Sequence, residues 1–131
     1  MFLNRLSEEE KKAFISLSVH ASKSNGIVEA AEVEMMQEYC NEMGILLVDF
    51  DDVMKLEDII EVFAKANEHV KKIVTLEILG LFYSDGVYDE DEKTFVKEYA
   101  QKIGVSTEII EKQTEAIKEY LDVLGKVAEL I

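Results

Sequence analysis

The sequence predicts an all-α protein, and three observations carry that expectation. There is no proline in the 131 residues and no strand-like alternation sustained over several positions. Apolar residues recur instead at i, i+3, i+4 and i+7, the period of a helix face. The third observation is a repeat at a spacing of 60 residues, which carries turns, caps and apolar positions together.

Six helices follow in order. Ser7 with Glu10 forms a capping box that opens the first, whose apolar face carries Phe14, Leu17 and Ala21. The second runs from about Ala30 to Met43, with Met36, Tyr39, Cys40 and Met43 on one stripe, and Gly44 ends it as a left-handed cap. An apolar connector, ILLVDFDDV, leads to the third, striped by Leu56, Ile59, Ile60 and Phe63. Asn67 caps the fourth, which continues to about Tyr83 and is apolar nearly all round after Lys72, so it belongs at the centre of the fold. The fifth runs from about Glu90 to Ile103 and stops at Gly104. Ser106 caps the sixth, whose stripe of Ile110, Ile117, Leu121, Leu124 and Ala128 is interrupted at Gln113 and Thr114, where a bend is expected.

No Gly/Ser-rich linker divides the chain, so residues 1–131 read as one domain. Shifted by 60, SNGIVEAAEVEMMQEYCNEMGI lies on SDGVYDEDEKTFVKEYAQKIGV without a gap. Identities fall at Ser24/Ser84, Gly26/Gly86, Glu32/Glu92, Glu38/Glu98, Tyr39/Tyr99 and Gly44/Gly104. The expected organisation is two three-helix repeats, about 7–66 and 67–131, packed about a pseudo-twofold axis because neither buries its stripes alone.

Charge narrows the partners. Fourteen Lys and Arg against 28 Asp and Glu give a formal net charge of −14, which disfavours nucleic acid and anionic lipid and favours cations or basic protein surfaces. One cysteine, Cys40, precludes an internal disulfide and suits a reducing, cytoplasmic setting. The N-terminus lacks the long apolar stretch of a signal peptide. The most apolar run, IVTLEILGLFY, is 11 residues with a Glu inside and cannot span a bilayer.

The chemistry concentrates in YSDGVYDEDE, residues 83–92, with five acids and no base. Asp89 as N-cap with Glu92 three residues later makes a capping box, and Gly86 supplies a turn. The spacing of Asp85, Gly86, Asp89 and Glu92 also matches positions 5, 6, 9 and 12 of an EF-hand loop. Positions 1 and 3, however, are Leu81 and Tyr83, with Ala21 and Lys23 in the first copy, so a true EF-hand is not expected. A looser site for Ca²⁺ or Mg²⁺ remains, built from Asp85, Asp89, Asp91 and Glu92, with Asp51 or Asp52 as further ligands if the halves bring them near. Its first-copy counterpart is Asn25, Glu29 and Glu32. Charge beyond capping needs, at Glu90 and Asp91, is the reason to consider a cation.

Other candidates read as structure. His20 and His69 share no metal-like spacing with each other or with Cys40. Cys40 aligns with Ala100 on the core stripe, and Met35, Met36 and Met43 fill the same region. Tyr39 and Tyr99 are core by spacing. No phosphate loop, nucleophile elbow or zinc motif occurs, so no catalytic activity is expected.

The element ASKSNGIVEAAE, recurring as FYSDGVYDEDE before a helix that ends near Gly, resembles the TerB-like proteins. These are tellurite-resistance protein B and its relatives, including the N-terminal domain of DnaJ-like membrane co-chaperones. The resemblance covers nearly the whole chain. It implies a multihelical domain of two three-helix repeats and a bacterial cytoplasmic stress-response or scaffold role. It also implies divalent-cation binding by Asp85, Asp89 and Glu92, with Asn25, Glu29 and Glu32 in the first copy. Two functions stand side by side: a TerB-like scaffold that binds a divalent cation weakly at 85–92, and a metal-free acidic adaptor for a basic partner. Oligomeric state stays open between monomer and weak homodimer.

Overall fold

A computed structural model describes residues 1–24, 26, 28, 30–45, 53–85 and 88–131, with Asp85 by its backbone alone. Six α-helices follow one another: α1 (Glu8–Ser22), α2 (Ala30–Met43), α3 (Leu56–Ala64), α4 (Glu68–Phe82), α5 (Glu90–Ile103) and α6 (Thr107–Ala128). Two 3₁₀ turns, Leu3–Arg5 and Tyr83–Asp85, precede α1 and extend α4. No strand occurs among the described residues, and no helix among them is long and apolar enough to cross a membrane.

The caps form as the side chains dictate. Ser7 and Glu10 make both bonds of a capping box, as do Asp89 and Glu92. Asn67 and Ser106 each accept from the backbone N–H three residues on, from Val70 and Ile109. Gly44 and Gly104, at φ 70° and 88°, take the left-handed conformation that ends α2 and α5, where a side chain would be strained. α4 ends at Phe82, one residue before the expected Tyr83, which becomes its C-cap.

α4 is the central helix and packs on all five others. α1 lies on α2, α3 and α4, and α3 also packs on α5, while α6 lies on α4 and α5. α1 is more enclosed than its stripe suggests, since the whole run from Ala13 to Val19 is buried. The small Ser16 and Ser18 permit this. Ser18 Oγ donates to Phe14 O at 3.0 Å, and Ser16 Oγ accepts from Met54 N at 3.1 Å. His20 Nε2–H donates to Met54 O at 2.8 Å, so two side chains of α1 fix the entry to α3.

A shift of 60 residues carries α1 onto α4 and α2 onto α5 with identical ends. The burial follows. Glu32, Met36, Tyr39, Cys40 and Met43 are the buried set of α2, and Glu92, Val96, Tyr99, Ala100 and Ile103 are that of α5, position for position. The third helices break the pattern, with 9 residues in α3 and 22 in α6.

The bend expected at Gln113 and Thr114 does not occur, because both polar side chains have partners that leave the helix intact. Gln113 Nε2 donates to Lys72 O at 2.9 Å and its Oε1 accepts from Thr75 Oγ1 at 2.7 Å, which hooks α6 onto α4. Thr114 Oγ1 donates back to Ile110 O at 2.8 Å. The expected core stripe of α6 is also corrected. Ile117 is buried and Leu121 partly so, but Leu124 and Ala128 face solvent because α6 runs on past the helices that could cover it.

Candidate functional site

The acidic turn joins α4 to α5 over a platform of aromatic rings. Phe82 stacks near Tyr88 at 6.0 Å between centroids and meets Phe95 edge-on at 6.1 Å, and Tyr83 lies 4.8 Å from Tyr88. Leu81 is fully buried. The two positions that deny the turn an EF-hand are therefore filled by core and aromatic packing. Burial pushes the phenols of Tyr83 and Tyr88 up, with the charge of Glu92 adding to both.

The predicted carboxylates divide. Asp89 accepts from Glu92 N at 2.9 Å, and Glu92 Oε1 accepts from Asp89 N at 3.0 Å. Glu92 is buried, as is its counterpart Glu32. Glu90 faces water and pairs with Lys93 at 3.3 Å, whose ammonium sits 5.8 Å from the centre of the Tyr88 ring. Asp91 faces elsewhere, into an open hollow of about 290 Å³ with His20, Ser24, Thr94, Phe95 and Glu98. So Asp89 and Glu92 are brought together, and Asp91 is turned toward α1. The Asp85 side chain, Gly86, Asn25, Glu29, Asp51 and Asp52 lie outside the described residues. Among the described residues no three His, Cys, Asp or Glu side chains are grouped to hold a metal ion.

A second polar centre escaped sequence reasoning. Glu77, the lone acid of IVTLEILGLFY, is buried on α4. Its Oε1 accepts from the Met1 ammonium at 2.6 Å and from Phe2 N at 2.9 Å. Glu42 of α2 joins it, 3.1 Å from the ammonium and 3.0 Å from Leu3 N. Burial pulls the ammonium pKa down, but the hydrogen bonds and charges of Glu77 and Glu42 outweigh it and raise it above its ordinary 8.0. A single carboxylate in an otherwise apolar helix was the available signal, since a buried charge needs a partner.

Two further hollows carry apolar lining. One of about 490 Å³ lies between α5 and the start of α6, with Val96, Ala100, Val105 and Ile110 beside Lys93 and Lys97. The other, about 300 Å³, opens between α2 and α6 over α4, lined by Met35, Tyr39, Leu76, Gly80, Ile117 and Leu124. Glu38 and Glu42 also line that groove. Cys40 is fully enclosed, which raises its thiol pKa and suits packing rather than reactivity.

The class these features define is an acidic all-α bundle with apolar grooves between its helices. No protein-family model matches the chain, and neither the curated proteins nor the solved structures give a match.

Proposed function

We propose that the chain is a non-enzymatic interaction module of TerB-like type, built from two three-helix repeats about a pseudo-twofold axis, which acts as a metal-free adaptor for a partner with a basic surface. The observation that carries the adaptor reading is the division of the acidic turn. Asp89 and Glu92 serve the start of α5, Glu90 pairs with Lys93, and Asp91 faces a different hollow. The acidity then acts as a field over the surface rather than as a ligand set, and a net charge of −14 steers basic partners by long-range attraction. The shared register of α1 with α4 and of α2 with α5 supports the duplicated, TerB-like architecture. That resemblance in turn supports a scaffold role in a bacterial cytoplasmic stress response. Apolar floors in the two larger hollows suit docking better than proton transfer.

Titration with a synthetic Leu/Lys amphipathic helical peptide tests the adaptor. Binding should weaken as salt rises from about 50 to about 300 mM, the range over which screening shortens from over 10 Å to several Å, and should ignore EDTA. An absence of binding at low salt overturns the reading. A second reading, weak Ca²⁺ or Mg²⁺ binding by Asp85, Asp89, Asp91 and Glu92, is favoured by Asp91, an exposed carboxylate without an ion pair among the described residues. Calorimetry with millimolar Ca²⁺ and Mg²⁺ tests it, with Asp85→Asn and Asp91→Asn as controls. Heat lost in both variants supports the cation site; no heat and no rise in Tm remove it.

A further inference from the structure

We infer that the distal half of α6 is a homodimer surface, on which a second copy of this chain lays its own α6 antiparallel. Beyond Ile117 the helix leaves the core, yet its sequence stays amphipathic. Tyr120, Val123, Leu124 and Val127 are 45 to 56% exposed, and Leu130 is 84% exposed. At 100° per residue the first four form one stripe, turned about a quarter-circle away from the face that Ile117 and Leu121 set on the core. Lys118, Asp122 and Glu129 occupy the opposite, solvent face.

The stripe is too large to be incidental. Together with Leu130 and Ile131 it leaves several hundred Å² of apolar side chain in water, the size at which a patch marks an interaction site (~300–600 Å²). Through Tyr120 and Leu124 it runs into the 300 Å³ groove between α2 and α6. Stripe and groove wall together approach the ~800 Å² per partner of a stable interface.

Charge selects the occupant. Residues 117–131 contain Lys118 and Lys126 against Glu119, Asp122 and Glu129, so this segment carries −1 of the chain's −14. Two copies repel least when they meet here. The segment is also self-complementary. Glu119 and Lys126 stand two turns apart on the same flank of the stripe, the flank turned away from α4. An antiparallel pair centred near Val123 places Val123 on its twofold mate and Tyr120 against the other copy's Leu124 and Val127. Each Glu119 then meets the opposite Lys126, as residues on one flank do in an antiparallel helix pair. Lys126 is held within its own chain only by the exposed pair with Asp122 at 3.3 Å, which costs little to exchange. The contact is isologous, so it closes at two copies. This surface is separate from the adaptor reading, because it needs neither a second protein nor the acidic turn.

Sedimentation velocity of the full chain from about 5 to about 500 µM tests the inference. The wild-type chain should pass from monomer to dimer across that range. Val123→Glu should remain a monomer while its helical circular dichroism and Tm stay unchanged, since the side chain touches solvent and not the core. Glu119→Lys and Lys126→Glu should each weaken the dimer about tenfold, and the double exchange should restore it. A wild-type chain that stays monomeric at the top concentration overturns the surface. So does a dimer indifferent to Val123→Glu. Failure here leaves the peptide titration untouched, and the reverse holds too.

Discussion

Leu17 and Glu77 occupy the same register of α1 and α4, sixty residues apart, and both are buried. One is an ordinary core side chain and the other a carboxylate held by the Met1 ammonium and Phe2 N. The same contrast recurs through the two halves. Met36 and Val96, Cys40 and Ala100, and Met43 and Ile103 fill equivalent buried places with different side chains. The difference teaches that the frame tolerates exchange wherever volume and polarity are balanced locally. Departures cluster where something else must be accommodated: the N-terminal segment against α4, and the long α6 where the first half has the short α3.

The comparison breaks most readily at its apolar member. Leu17→Ala opens a cavity among fully buried neighbours and should cost about 3 kcal/mol, lowering Tm by roughly 10 °C. Urea and thermal unfolding followed by circular dichroism measure it. A loss under about 1 kcal/mol would mean that α1 is far less tightly packed than the buried run Ala13–Val19 requires.

Glu77→Gln sharpens the contrast through pH. It keeps an acceptor for Phe2 N but removes the charge facing the ammonium, and should cost about 2 kcal/mol near pH 7, the scale of a hydrogen bond to a charged group. The ammonium pKa is raised in the folded state, so its contribution is complete below pH 8.0 and is lost as pH rises through the folded value. The gap between wild type and Glu77→Gln should therefore narrow above pH 8.0. The window closes near pH 10. Beyond it the phenols of Tyr39, Tyr88 and Tyr99, all raised by burial, lose stability in both proteins as the unfolded chains ionise. Unfolding free energies at intervals from pH 7 to 10 test this, and a constant gap would place the ammonium away from Glu77.

Sequence alone was most legible where the cause was local. The caps at Ser7, Asn67, Asp89 and Ser106 and the stops at Gly44 and Gly104 depend on a few adjacent residues, and each forms. Gln113 misled because its polarity is answered across the fold. A helical residue that breaks a stripe reads as a break until Lys72 and Thr75 are beside it. Glu77 shows the same gap over a longer reach, since its partner lies 76 residues away in sequence. Within the acidic turn, spacing placed the Asp89–Glu92 cap correctly. It could not show that Asp91, one residue from Glu92, would face His20 across α1 and α5. The unburied end of α6 was equally hidden, because a stripe specifies that a face wants cover and not what covers it.

The smallest expected effect is the finest comparison between the halves. Tyr39 and Tyr99 coincide at the shift of 60 and are equally enclosed, at 4% exposure each. Tyr39 Oη donates to Glu77 O at 2.9 Å, whereas the buried Tyr99 hydroxyl has no hydrogen-bond partner. Removing a satisfied hydroxyl leaves a buried carbonyl short of a donor, so Tyr39→Phe should cost about 1 kcal/mol. Removing an unsatisfied one relieves a desolvated group, so Tyr99→Phe should be neutral or stabilising by a few tenths of a kcal/mol. Both rings keep their packing, Tyr39 edge-on to Phe14 at 5.3 Å and Tyr99 stacked near Phe95 at 6.4 Å, so the two variants differ in the hydroxyl alone. Paired urea titrations resolve the difference. Equal costs would mean that Tyr99 also reaches an acceptor, and that the halves are alike at the one buried position where their hydrogen bonding divides them.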